Sequence, residues 1–239
     1  GYYQGNGTAN TYVGDSAGRG FGLSVATANT GNTGIGGSAL YSITTGGHNT
    51  AVGSNAGSSL TTGTHNVLVG KEAGQYVFKT SYSTHVGSNA GRYASGSSNT
   101  FIGYQSGKGG TTSAPYSSGG YSVALGYQAL TAFTTGNYST AIGHSAGKAI
   151  TSGNSNTLLG FGAGQSVSTG YSNTYLGVGA GENNNGFDNV MIGRQAGYDA
   201  TSTDKLVLIG NMAGADINSA DADGTVAIGW EAGRAITSG

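Results

Sequence analysis

The stretch Asn49-Thr50-Ala51-Val52-Gly53-Ser54-Asn55-Ala56-Gly57 decides the fold, because the chain keeps returning to it. A segment of the form N-T-x-I-G-x-x-A-G occurs thirteen times. Its central glycines are Gly14, Gly36, Gly53, Gly70, Gly87, Gly103, Gly126, Gly143, Gly160, Gly177, Gly193, Gly210 and Gly229. The steps between them are 22, 17, 17, 17, 16, 23, 17, 17, 17, 16, 17 and 19 residues. A step near 17 interrupted by three longer ones describes one structural unit with three surface insertions. Those insertions fall near residues 19–29, 107–121 and 215–224.

The columns of the repeat carry the local physics. The residue before the central Gly is Val, Ile or Leu in every copy, and the residue two positions earlier is Thr or Val. β-branched residues at i and i+2 suit a strand with that face turned inward. The position between them is often apolar too, as in Tyr12, Leu68, Phe101, Leu158 and Met191, so the strand is expected to be covered on both sides. Three residues after the Gly comes Ala, with Ser106 the one exception; Gly follows, except at Leu40 and Leu130. Runs such as Ser42-Ile43-Thr44-Thr45-Gly46 and Ala149-Ile150-Thr151-Ser152-Gly153 read as a second short strand ending in a turn. Asn precedes the β-branched residue in eight copies, among them Asn32, Asn49, Asn66 and Asn173, and stacking would align these into a ladder. The expected fold is all-β, a parallel β-solenoid or β-roll of about 13 coils forming one repetitive segment over residues 1–239.

Composition agrees. Of 239 residues 48 are Gly, and with Ser, Thr and Asn they make up about half the chain, too many for long helices. Gly does not recur every third residue and there is one Pro, which excludes collagen. With no Cys there is neither a disulfide framework nor a thiolate metal site. No apolar run approaches a membrane span. A coil of about 17 residues encloses little, so a lone stack is marginal. Side-by-side packing of identical chains is expected to cover the remaining apolar face.

Asn49 to Gly57, and Ser139-Thr140-Ala141-Ile142-Gly143-His144-Ser145-Ala146-Gly147, resemble the YadA-type head repeats of trimeric autotransporter adhesins. The 17-residue version with T-T-G turns is similar to repeats of bacteriophage tail-fibre proteins and related bacterial trimeric fibres. The resemblance implies a left-handed, trimeric β-roll and a place on a virion tail fibre or a cell surface. It also implies attachment to a host glycan or protein receptor, without nucleic acid and without membrane insertion. The last residues, Arg234 to Gly239, match Lys148 to Gly153, which another coil follows, so a segment of a longer fibre protein is expected.

Motifs of chemistry are sparse. Gly143 to Lys148 and Gly103 to Lys108 superficially resemble a phosphate loop, but are one residue short and lack the Ser or Thr that binds magnesium. Gly160 to Gly164 and Gly177 to Gly181 are repeat glycines rather than a dinucleotide site. His48, His65, His85 and His144 read as occupying different columns with no catalytic acidic neighbour. His85 sits in a strand, where an oligomer axis would let three copies meet on an anion or metal. The ten acidic residues are scattered, and no enzyme is expected. Asp216, Asp221 and Asp223 place oxygens ahead of Gly224 as calcium loops do, although a solvated turn explains them as well. Tyr104, Tyr116, Tyr121 and Tyr127 gather around the longest insertion and are the candidate receptor contacts; the bland alternative packs them on the shaft.

The leading expectation is therefore a non-enzymatic structural and adhesive fibre segment. The rival is an ice-binding solenoid displaying Thr45, Thr62, Thr135 and Thr169 in one row, a row that Lys79, Ser95 and Ser152 interrupt. A glycan-cleaving solenoid would need clustered carboxylates that the chain lacks.

Overall fold

The computed structural model describes residues 9–20, 30–110, 116–217 and 222–236. They contain thirteen strands, each of three residues, and no α-helix. The strands are β1 (Thr11–Val13), β2 (Thr33–Ile35), β3 (Thr50–Val52), β4 (Val67–Val69), β5 (Thr84–Val86), β6 (Thr100–Ile102), β7 (Val123–Leu125), β8 (Thr140–Ile142), β9 (Thr157–Leu159), β10 (Thr174–Leu176), β11 (Val190–Ile192), β12 (Val207–Ile209) and β13 (Val226–Ile228).

The chain divides into two compact units, Gly1–Ser122 and Val123–Gly239. In the first, β1 to β6 pair in chain order, each parallel to the next. In the second, β7 to β13 do the same. Each unit is a parallel β-solenoid. The repeat sets the register: Thr50, Ala51 and Val52 lie opposite Val67, Leu68 and Val69, so each sequence column becomes a ladder. The strands stop at the central glycines for a steric reason. Gly70 has φ +128°, and a Cβ there would lie 2.6 Å from the carbonyl carbon and oxygen of Gly87 in the next coil.

Two expectations need correcting. The second strand is absent among the described residues. Runs such as Ser42 to Gly46 bend instead, yet they remain bonded coil to coil, with Ser42 N–H on Ser58 O at 3.0 Å and Thr44 N–H on Thr61 O at 2.9 Å. The strand also faces the other way. Its middle residue is buried, as Ala51, Leu68, His85, Phe101, Leu158, Tyr175 and Met191 show. The Val, Ile or Leu before the central Gly lies outside: Val13 is 54% exposed, Leu125 43% and Ile228 65%. Each coil curls towards the middle residue, and the opposite wall is made by the Ala of the repeat column (Ala56, Ala73, Ala146) and one aliphatic per coil (Ile43, Leu60, Val77, Ile150).

The interior is fitted by volume. Where the middle strand residue is large, the position after the column Ala is Gly. A Cβ on Gly107 would run into the Phe101 ring, and one on Gly181 into Tyr175. Where the middle residue is Gly34 or Ala124, that same position is Leu40 or Leu130, both buried. Between Leu40 and Leu68 the coil is small on both sides, with Ala51 and Gly57; a Cβ on Gly57 would lie 2.7 Å from Leu68 and 3.2 Å from Leu40. The exchange follows a longer period. The glycines at 36, 53, 70, 87 and 103 recur at 126, 143, 160, 177 and 193, each displaced by 90 residues. The second unit thus repeats five coils of the first.

The Asn ladder forms as expected. Asn49 Nδ2 donates to Asn32 Oδ1 at 3.0 Å, and Asn66 Nδ2 to Asn49 Oδ1 at 2.9 Å. Each amide also donates to the carbonyl that closes a neighbouring coil, Gly63 for Asn49 and Gly170 for Asn156. These bonds satisfy buried backbone groups that a strand of only three residues leaves over.

Candidate functional site

The insertion of residues 107–121 is rooted firmly in the first unit. Tyr93 N–H donates to Lys108 O at 2.8 Å and Ser95 N–H to Ser117 O at 2.7 Å, and Ala94 and Ser117 form a parallel bridge. In an ordinary coil the corresponding bonds, Ser59 to Gln75 and Thr61 to Phe78, span three residues on the acceptor side. Here they span nine, so six extra residues lie between Lys108 and Ser117. Of this stretch, residues 111–115 fall outside the described residues, as do 21–29 and 218–221 in the other two insertions.

Tyr116 packs back on the shaft. Its ring stacks with Tyr76 at 5.5 Å, Phe78 at 5.8 Å and Tyr93 at 5.9 Å, while Tyr76 and Tyr93, one coil apart in one column, stack at 5.2 Å. The Arg92 guanidinium lies 5.6 Å from the Tyr76 centroid and 5.1 Å from that of Tyr93. Glu72 holds it at 3.0 Å, with hydrogen bonds to Gln75 Oε1 at 2.9 Å and Asn89 Oδ1 at 3.2 Å. Such an arginine is pre-organised to stack rather than free to reach solvent. Tyr116 is therefore packed on the shaft. The 17-residue spacing of Tyr76 and Tyr93 was the signal for this cluster.

The other three tyrosines sit elsewhere. Tyr104 is 44% exposed just after its central Gly, and Tyr121 is 61% exposed at a left-handed backbone position, φ +57°. Tyr127, in the second unit, stacks with His144 at 4.9 Å, and His144 with Phe161 at 5.0 Å. Thr45, Thr62, Thr135 and Thr169 do face outward.

His48 and His65 share one column after all, stacked at 4.9 Å, and Tyr82 continues the stack. His85 does not lie where copies of the chain could meet. It is wholly buried inside its own coil, stacked on Phe101 at 5.2 Å. Burial pushes its imidazole down to about 3. Asp216 and Asp223 are engaged within the fold: Asp216 Oδ2 accepts from Arg234 Nε at 3.0 Å, and Asp223 Oδ1 accepts from Asp204 N–H at 2.8 Å. Asp221 lies outside the described residues, among which no group of three or more His, Asp or Glu is placed to hold a metal ion.

The outer face of the strands is a further exposed surface among the described residues. Its positions are Thr or Val and Val, Ile or Leu throughout, with no charge. In the first unit it exposes Val13, Ile35, Val67 and Ile102; in the second, Val123, Leu125, Leu159 and Leu176, flanked by Phe161 and Val178. Aliphatic residues repeated on a flat ladder form a continuous apolar patch of the kind that marks an interface.

No protein-family model, curated protein or solved structure matches the chain.

Proposed function

We propose that this chain is a non-enzymatic structural and adhesive fibre segment, the shaft or head of a phage tail fibre or bacterial surface adhesin. Three copies pack through the outer faces of their strands, and the assembly attaches to a glycan or protein receptor on a host surface. The observation that carries the reading is the uncharged aliphatic strand face left outside each coil. Burying the remaining two-fifths of a Leu or Ile is worth roughly 1 kcal/mol, and the ladder repeats the gain in every coil. A second copy of the same ladder offers the same spacing, so identical chains match it in register. The exposed tyrosines, Tyr104, Tyr121 and Tyr127, are the receptor contacts in this reading, with Tyr116 anchoring the insertion beside them.

Solution mass tests the assembly: three chains of 23.5 kDa weigh about 70 kDa, and a monomer at micromolar concentration sinks the proposal. The ice-binding alternative draws on the outward Thr45, Thr62, Thr135 and Thr169, but exposed Lys79 stands in that row and Ser152 breaks it again. Thermal hysteresis decides it; a clear freezing gap would favour ice over a receptor.

A further inference from the structure

We propose that His85 makes the coils of β4 to β6 an acid-sensitive joint of the first unit, one that opens when the buried imidazole takes up a proton. Three observations on the residue and its surroundings carry this. His85 is wholly buried, and neither Nδ1 nor Nε2 has a hydrogen-bond partner. It is sandwiched between apolar neighbours in its ladder, Leu68 of β4 and Phe101 of β6. Behind it, Gly74 and Gly91 press so close that a Cβ on either would crowd the ring, so no room is left for a hydrating shell. An imidazolium with two N–H donors and no acceptor has no way to be stabilised there.

The charged groups around it do not help. β4 and β6 carry no titratable residue. On the adjoining turns, Glu72 and Arg92 are committed to each other at 3.0 Å, and Lys71 reaches Glu72 at 3.9 Å. Burial is the sole cause of the depressed imidazole value, about 3 against an ordinary 6.5.

The second unit shows what a satisfied polar core looks like at the same point of the 90-residue period. There Tyr175 replaces His85, and Asn184 replaces Ala94. The tyrosine hydroxyl donates to Asn184 Oδ1 at 3.0 Å, which also accepts from Asn189 Nδ2 at 3.1 Å. The first unit keeps the polar ring but has Ala94 in place of the partner. Among the described residues the unsatisfied polar group is thus confined to one level of one unit.

The direction with pH follows from the two states. The unfolded chain takes up the imidazole proton near pH 6.5, the folded coil only near about 3. Between these values the unfolded state holds one proton more, so stability is greatest above pH 6.5 and falls as the pH drops through that window. The unfolding constant should rise up to about tenfold for each pH unit, or about a hundredfold at pH 4.5 relative to neutral.

The experiment compares the full chain with His85→Leu and, as a second variant, His85→Met, both residue types that this ladder already holds. Urea unfolding is followed from pH 7.5 to 4.5. The other three histidines and all the carboxylates are common to every protein, so their contributions cancel in the difference. The wild type should lose ground against either variant by about a hundredfold in the unfolding constant by pH 4.5. Hydrogen exchange at pH 4.5 should quicken first at Val67 and Thr84 in the wild type alone, with Thr157 and Val190 still protected. Parallel pH profiles for wild type and whichever variant folds would overturn the proposal, as would exchange that quickens equally in both units.

Discussion

Cutting Asn66 back to Ala removes one rung of the Asn ladder and leaves every apolar contact of the coil in place. The side chain is 1% exposed and makes three bonds. Its Oδ1 accepts from Ser83 N–H at 3.0 Å, and its Nδ2 donates to Asn49 Oδ1 at 2.9 Å and to Thr80 O at 2.7 Å. After the change, the Ser83 N–H and the Thr80 carbonyl lose those partners where water does not reach. Each orphaned buried group costs about 1–3 kcal/mol, so Asn66→Ala should lose about 4 kcal/mol of stability. Asn66→Ser is the internal control, because Ser stands naturally in this column: Ser83 Oγ accepts from Asn99 N–H at 3.1 Å and Ser139 Oγ from Asn156 N–H at 3.3 Å. The serine keeps the bond to the following N–H and gives up the one to Thr80 O, at about half the cost. Urea unfolding of the three proteins at pH 7 reads the order Asn, Ser, Ala directly. Should Asn66→Ala stay within about 0.5 kcal/mol of the wild type, or should Ser prove as harmful as Ala, the ladder is not a stabilising element.

Three further outcomes are expected. Ile142→Asp places a charge on the outer strand face, so the chain should still fold with its parallel coils while the proposed trimer of about 70 kDa gives way to a 23.5 kDa monomer; loss of folding in the monomer would mean that this column faces inward. Gly70→Ala forces a Cβ against Gly87 at φ +128° and should cost at least about 3 kcal/mol by urea unfolding, whereas unchanged stability would mean the coils can separate locally. Deleting residues 110–115 restores the ordinary step between Lys108 and Ser117 and keeps Tyr104, Tyr116, Tyr121 and Tyr127, so the melting temperature should hold and the proposed host-surface adhesion should survive; lost adhesion would move the receptor contact from the tyrosines to the insertion itself.

How much of this was legible in the residues is clear from particular ladders. Thirteen copies of one motif determine the period, the parallel order, the registers, the glycine stops and the Asn ladder, because a solenoid stacks each column on itself and any column must tolerate its own neighbour. The size of the long insertion was legible too, since its step of 23 exceeds the usual 17 by six. The packing of Tyr116 on Tyr76, Phe78 and Tyr93 was not, because a loop's return to the shaft depends on contacts outside its own column.

Which side of the strand is the inside was decided only by the tertiary structure. Alternation assigns residues to two faces, but Thr50 and Val52 on one and Ala51 on the other are all compatible with burial, so the pattern fits either parity. The closure of the coil settles it. Behind the strand there is room for a large ring only where the residue after the column Ala has no side chain, as with Phe101 and Gly107. Where that residue is Leu40 or Leu130, the strand must bring Gly34 or Ala124. The middle residue thus goes inside because the opposite wall is complementary to it, and the aliphatic column, regular as it is, goes outside.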